Sequence, residues 1–133
     1  MGIILDTCAF LAITGYGDKQ ISAATLHRLE NETVYVCSIT AFEIGLKAKK
    51  GKLLLGTYSP LQLYRKIINE YFIEELPLTG KLLLESITLE DFHADPFDRM
   101  ILAEALNRSL DIATWDSVFE QYLLSHGDIH VVN

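Results

Sequence analysis

Gly2-Ile3-Ile4-Leu5-Asp6-Thr7 decides how the rest of the chain is read. Residues 3–5 form a short apolar strand that stops at an aspartate. Residues 8–13 (Cys-Ala-Phe-Leu-Ala-Ile) follow as a short helix, and Gly15 and Gly17 break what comes next. The alternation repeats outward from there. Ser22 caps a helix to about Glu30, with Leu26 and Leu29 on its inner face. Thr33 to Cys37 is rich in β-branched and aromatic residues, which predicts a strand. Thr40 opens a helix that runs to Lys50 and stops at Gly51, and Ser59-Pro60 launches another to about Tyr71. A short strand over residues 73–76 ends at Pro77, and 79–86 is helical. Asp95-Pro96 caps a long helix from Phe97 to Asn107, given a buried side by Met100, Ile101, Leu102 and Leu106. Residues 111–114 read as a strand, 117–124 as a helix and 129–132 as a last strand. Strands alternating with helices predict an α/β fold with a mainly parallel sheet.

A chain of 133 residues suits one domain, residues 1–133, with length enough to bury a core. Half of its residues are hydrophobic and 22% are charged, which argues against a disordered chain. No apolar run approaches the ~18–20 residues of a membrane span. The opening residues lack the basic start and long apolar stretch of a secretory signal, so a soluble cytoplasmic protein is expected. Cys8 and Cys37 make neither a C-x-x-C pair nor a disulfide framework and read as small buried residues. The net charge of −7 is unevenly spread. Residues 1–66 hold eight Lys/Arg against five Asp/Glu, whereas residues 67–133 hold three against thirteen. An acidic chain needs help to approach phosphate. A divalent cation in the acidic half, and a basic patch of Lys47, Lys49, Lys50 and Lys52, would supply it.

The acids fall at telling places. Asp6 follows the first strand, and Glu43 sits one turn into the helix after the second. Asp95 and Asp98 flank the start of the long helix, and Asp116 lies just past the strand ending at Thr114. In an open parallel sheet, ligands bind outside the carboxyl ends of the strands, where such residues can converge. Carboxylates gathered there repel one another unless a hard cation such as Mg²⁺ or Mn²⁺ joins them. Asp6 is hard to dismiss, since it ends an apolar strand with no basic residue before Lys19, but the other acids also have a plainer reading. Thr40 and Glu43 fit a capping box, Asp95 fits a helix cap, and Asp116 could cap the helix after it. The two readings are compatible, because a cap fixes the carboxylate it uses. Thr7, Ser38 and Thr114 are hydroxyls beside the acids, placed to orient a carboxylate, a water or a phosphate, or to form turns.

At these residues the chain resembles the PIN-domain family, and within it the VapC-type toxins of bacterial toxin–antitoxin pairs. The resemblance rests on Ile-Leu-Asp6-Thr7, on Ser38 followed five residues later by Glu43-Ile, and on Asp95-Pro-Phe-Asp98-Arg-Met-Ile-Leu-Ala. It is completed by Ala-Thr114-Trp-Asp116 and by Glu43-Ile-(x)2-Lys-(x)3-Gly-Lys-Leu, and it spans essentially the whole chain. It implies a three-layer α/β/α sandwich and a Mg²⁺- or Mn²⁺-dependent endoribonuclease. It also implies a homodimer and a cognate antitoxin as partner. The family's four acids fall on Asp6, Glu43, Asp98 and Asp116, with Asp95 as an additional acid near the site. Trp115 departs from common forms, where smaller or charged residues are frequent; it reads as a hydrophobic cover or a stacking surface for a base.

Two other groups place an aspartate after the first strand, and both are disfavoured. A haloacid-dehalogenase-type phosphatase needs a second aspartate two residues on, where this chain has Cys8. A phosphoacceptor receiver needs a lysine after a late strand, and the last lysine here is Lys81. The remaining rival is a PIN-like module that binds RNA or protein without cutting. Antitoxin segments are expected to lie in an apolar groove, for which Phe10, Leu11, Phe42 and Leu46 are candidates or else plain core. The four histidines show no ligand spacing and receive no role.

Overall fold

The computed structural model describes residues 2–90 and 92–133. Its elements in chain order are β1 (Gly2–Leu5), α1 (Thr7–Ala12), α2 (Ala23–Asn31), β2 (Thr33–Cys37), α3 (Ile39–Lys49) and α4 (Pro60–Glu70). They continue with β3 (Glu74–Leu76), α5 (Gly80–Ile87), α6 (Pro96–Arg108), β4 (Asp111–Ala113), α7 (Ser117–Leu123) and β5 (Val131–Val132). Among the described residues the five strands form one sheet in the order β3-β2-β1-β4-β5, and every pairing is parallel.

β1 is central and buried along its whole length, as expected of a continuous apolar strand in a sheet covered on both faces. Its side chains alternate between two cores. Ile4 joins Cys37 and Ile112 against Leu82 of α5, Ile101 and Leu102 of α6, and Phe119 of α7. Ile3 and Leu5 join Val34, Val36 and Ala113 against Phe10 of α1, Ile44 of α3, and Leu63 and Ile67 of α4. Helices therefore cover both faces, giving the three layers. Gly2 admits close contact at the start of β1. A Cβ there would lie 2.8 Å from a Leu110 methyl and 2.9 Å from the Tyr35 ring.

Most helices start where a side chain can satisfy their free N–H groups. Ser22, Ser59, Thr79, Asp95, Asp6 and Asp116 all cap in this way, and Ser59 with Gln62 completes a capping box. α3 is the exception. It begins at Ile39 with Ser38 at the cap position, and Ser38 makes no side-chain cap bond. The capping box expected of Thr40 and Glu43 is not formed.

Two burial expectations are corrected. Leu26 is 40% exposed, because α2 packs through Thr25 and Leu29, one turn apart, leaving Leu26 rotated outward. Cys8 is exposed on the outer side of α1, whereas Cys37 is buried. Of the two readings left open for Phe10 and Leu11, groove or plain core, the structure gives core, whereas Phe42 is exposed. Asp111, buried at the start of β4, is paired with Arg28 of α2 at 2.9 Å, and its other oxygen accepts from the His130 amide. The pairing anchors α2 to the start of β4.

Candidate active site

Chain order reverses direction at β1, with β2 on one side and β4 on the other. This is a topological switch point, where the strand ends leave a crevice. Asp6 stands at its floor, immediately after β1. As the cap of α1 it accepts the Ala9 amide at Oδ1 (2.8 Å), and at Oδ2 it accepts the Thr114 hydroxyl (2.5 Å). Thr114 follows β4, is fully buried, and accepts the Asp116 amide at 3.0 Å. One hydroxyl thus links the ends of two neighbouring strands. Asp116 in turn caps α7 through the Val118 amide.

Glu43 reaches the crevice from α3. Thr7 donates to its Oε1 at 2.7 Å and lies 3.1 Å from the Thr40 hydroxyl. Since the single Thr7 proton goes to Glu43, Thr40 is the donor to Thr7. Thr40 therefore supports a chain of hydroxyls leading to the carboxylate, which is why it does not cap. Asp98 arrives on the first turn of α6, whose cap Asp95 accepts the Phe97 and Asp98 amides. Asp95 is thus a helix cap, and it also lines the crevice.

The crevice, about 300 Å³, is lined by Asp6, Thr7, Cys8, Lys19, Glu43, Lys47, Asp95, Asp98, Trp115 and Asp116. Of the residues singled out from sequence, Ser38 is not brought to it, and neither are Lys49, Lys50 and Lys52. Lys49 and Lys50 are exposed around the end of α3, and Lys52 lies just beyond it. Trp115 packs on the apolar cluster beneath, as expected of a hydrophobic cover, and also lines the crevice.

Sequence reasoning missed Lys19, Thr40 and His93. Lys19 lies in the loop after α1 and carries no spacing signal. Thr40 was legible only as a cap. His93 places Nε2 3.1 Å from Asp98 Oδ2, and its signal was its position two residues before the Asp95-Pro96 cap, which turns the segment back on itself.

Crowding shows in the acidities. Burial pushes the Asp6 carboxyl up to about 6, against the lowering effect of its Thr114 and Ala9 bonds, and Glu43 and Asp116 add to the rise. Burial also pushes Asp98 up to about 7, reinforced by Asp95, Glu43, Asp6 and Asp116. In the unfolded chain both carboxyls lose their protons near the ordinary value of 3.8. Between that value and about 7 the folded chain holds the extra protons. The stability these two groups contribute is complete below 3.8 and lost as pH rises through about 6 and then about 7. Without metal, wild type should therefore lose thermal stability relative to an Asp98→Asn variant between pH 5.5 and 8. Parallel melting curves for the two across that range would contradict this.

The sequence and the fold have counterparts among known proteins. The model of the PIN domain matches residues 3–122. No curated protein matches the chain at a significant level. Solved structures do share its fold. FitAcB from Neisseria gonorrhoeae aligns with a TM-score of 0.65 at 23% identity, covering 98% of this chain and 96% of that one. VapBC2 from Rickettsia felis, solved bound to a DNA fragment from their promoter, aligns at 0.64 with 14% identity, covering 100% and 98%. A toxin–antitoxin complex from Klebsiella pneumoniae aligns at 0.58 with 19% identity, covering 86% and 87%. With the family model matched over nearly the whole chain and the acids gathered at the switch point of the matching fold, this chain belongs to the PIN-domain family.

Proposed function

We propose that this chain is a Mg²⁺- or Mn²⁺-dependent endoribonuclease acting as a single domain over residues 1–133, the VapC-type toxin of a toxin–antitoxin pair. The observation that carries the proposal is the convergence of Asp6, Glu43, Asp98 and Asp116 from four different elements on one crevice. Two of them, Asp6 and Asp98, have acidities displaced toward neutrality. An all-carboxylate donor set fits a hard divalent ion, and such an ion offsets both the burial that chiefly displaces these acidities and the mutual repulsion that adds to it. Asp6, Glu43, Asp98 and Asp116 would hold it. When bound, the ion supplies charge stabilisation at the phosphoryl oxygen and a nucleophilic water for hydrolysis.

The chain's own groups prepare this site. Thr114 and Thr7 fix the carboxylates of Asp6 and Glu43 through hydrogen bonds, so both hold their direction before any ligand arrives. Lys19 and Lys47, on the crevice wall, offset the negative charge that RNA must approach. Lys49, Lys50 and Lys52 add longer-range attraction for the phosphate backbone. Trp115 offers a face on which a base can stack.

Partner binding belongs to the same proposal: a cognate antitoxin and a second copy of the chain, both in the cytoplasm with the RNA. Apolar side chains at the surface support it. Phe42, next in sequence to Glu43, is 57% exposed with its ring tilted against that of Phe97, while Leu84 and Ile87 stand out together from α5. No helix among the described residues is long and apolar enough to cross a membrane.

The test is incubation of total cellular RNA with wild type and with Asp6→Asn, in Mg²⁺, in Mn²⁺ and in EDTA, followed by mapping of new ends. Metal-dependent ends that vanish in the variant are expected. Equal cleavage by both proteins, or none by wild type in either metal, would overturn the proposal; the second result would leave a PIN domain that binds without cutting.

A further inference from the structure

The connection between α5 and α6 is organised around one side chain. Arg99 directs all five of its guanidinium N–H groups at backbone carbonyls. Nε donates to Ser86 (2.9 Å), Nη1 to Phe92 and His93 (both 3.2 Å), and Nη2 to Ile87 (3.0 Å) and Leu89. Three of these carbonyls end or follow α5, where a helix leaves acceptors free and a cation suits its dipole. The other two hold the segment that leads into the cap of α6. This is what sets the His93 ring against the acidic crevice.

His93 Nε2 lies 3.1 Å from Asp98 Oδ2, and together with one Asp116 oxygen these atoms all fall within 4.8 Å of one another. Nε2 is shut off from solvent and has no hydrogen-bond partner, because the short approach to Asp98 is not aligned for one. Leaving such an atom unsatisfied costs about 1–3 kcal/mol. A hydrogen-bonded pair would point the ring nitrogen at the oxygen. Two ligands of one ion point instead at a common position beside both. In an octahedral site with bonds of about 2.0–2.1 Å, adjacent ligand atoms stand about 3 Å apart and opposite ones about 4.2 Å. The His93–Asp98 separation matches an adjacent pair.

We propose that His93 supplies a nitrogen ligand, through Nε2, to the divalent cation of the acidic site; this rests on the metal-site reading above. Coordination puts the ring proton on Nδ1. That nitrogen now lies 3.4 Å from the Asp95 amide, a contact longer than the usual ~2.7–3.2 Å, and it must open when the ion binds. A nitrogen in the donor set works against Mg²⁺ and in favour of first-row transition ions, so Mn²⁺ should bind more tightly than Mg²⁺.

The experiment is pulsed electron paramagnetic resonance of Mn²⁺ bound to the purified protein. Wild type should show modulation from a directly coordinated imidazole ¹⁴N. Histidine-selective ¹⁵N labelling should change it without any mutation. His93→Gln should lose it and bind Mn²⁺ roughly 10–100-fold more weakly, while His27→Gln, remote on α2, should keep it. Mn²⁺ bound in wild type without nitrogen modulation, or with modulation that survives His93→Gln, would overturn the assignment and leave the carboxylate site standing. Failure of wild type to bind Mn²⁺, or binding undiminished in Asp98→Asn, would overturn the metal-site reading and the His93 assignment with it.

Discussion

Asp98→Asn is expected to lose RNA cleavage by on the order of 10³-fold while its metal-free form becomes more stable at pH 8. The first effect follows from removing one of the four carboxylates proposed to hold the ion. If that ligand is worth roughly 4 kcal/mol of transition-state stabilisation, the rate falls by that factor. The second follows from electrostatics. Asp98 is pushed up to about 7 by burial first and then by Asp95, Glu43, Asp6 and Asp116. At pH 8 it carries its charge against all of them, and asparagine removes that charge while leaving the helix cap, supplied by Asp95, untouched. Cleavage assays and melting curves in EDTA check the pair of outcomes. A variant losing activity and stability together would point to a structural role for Asp98 instead.

Phe10→Ala is expected to give the largest loss of stability, about 3–5 kcal/mol. Phe10 is completely buried on α1 and packs its ring 5.3 Å from that of Tyr64 on α4. Truncation leaves a cavity between the sheet and two helices. Against a typical total of about 5–15 kcal/mol this is a large fraction, equivalent to roughly 10–20 °C in melting temperature. Chemical denaturation should show a lower midpoint with an unchanged slope. A loss under 1 kcal/mol would mean that the core closes around the gap. The same substitution loosens α1, the helix that Asp6 caps and from which Thr7 reaches Glu43, so weaker metal binding should accompany it.

The fold was legible because hydrophobic pattern and punctuation agreed. Ser22, Ser59-Pro60, Thr79 and Asp95-Pro96 mark helix starts through local chemistry, and the structure uses each of them so. Strand ends moved by a residue or two, with β5 reduced to Val131–Val132, because sheet pairing rather than composition sets where a strand stops. The site was legible in its acids, since they recur just past strands and at helix starts. What was not legible depends on contacts between segments distant in sequence. Thr40 looked like a cap until Thr7, thirty-three residues earlier, proved to be its partner. His93 acquires a position only when Arg99 folds the loop back, and Lys19 only when the loop after α1 settles over the crevice. Leu26 and Cys8 were misplaced for a simpler reason. Short helices offer too few turns to fix which side faces inward.

Asp6 and Asp116 both serve as helix caps, and asparagine caps a helix about as well as aspartate does. In the genetic code those two amino acids differ by one base. On the proposed function, a folded, non-cutting descendant therefore lies a single transition away, most cheaply at Asp116. Such a descendant would keep its crevice, its basic rim and its partner surfaces intact. At Asp116 the fold asks only for the cap, whereas at Asp6 the single oxygen of asparagine cannot accept both the Ala9 amide and the Thr114 hydroxyl, so a lineage relieved of catalysis would drift into a binder more readily through Asp116.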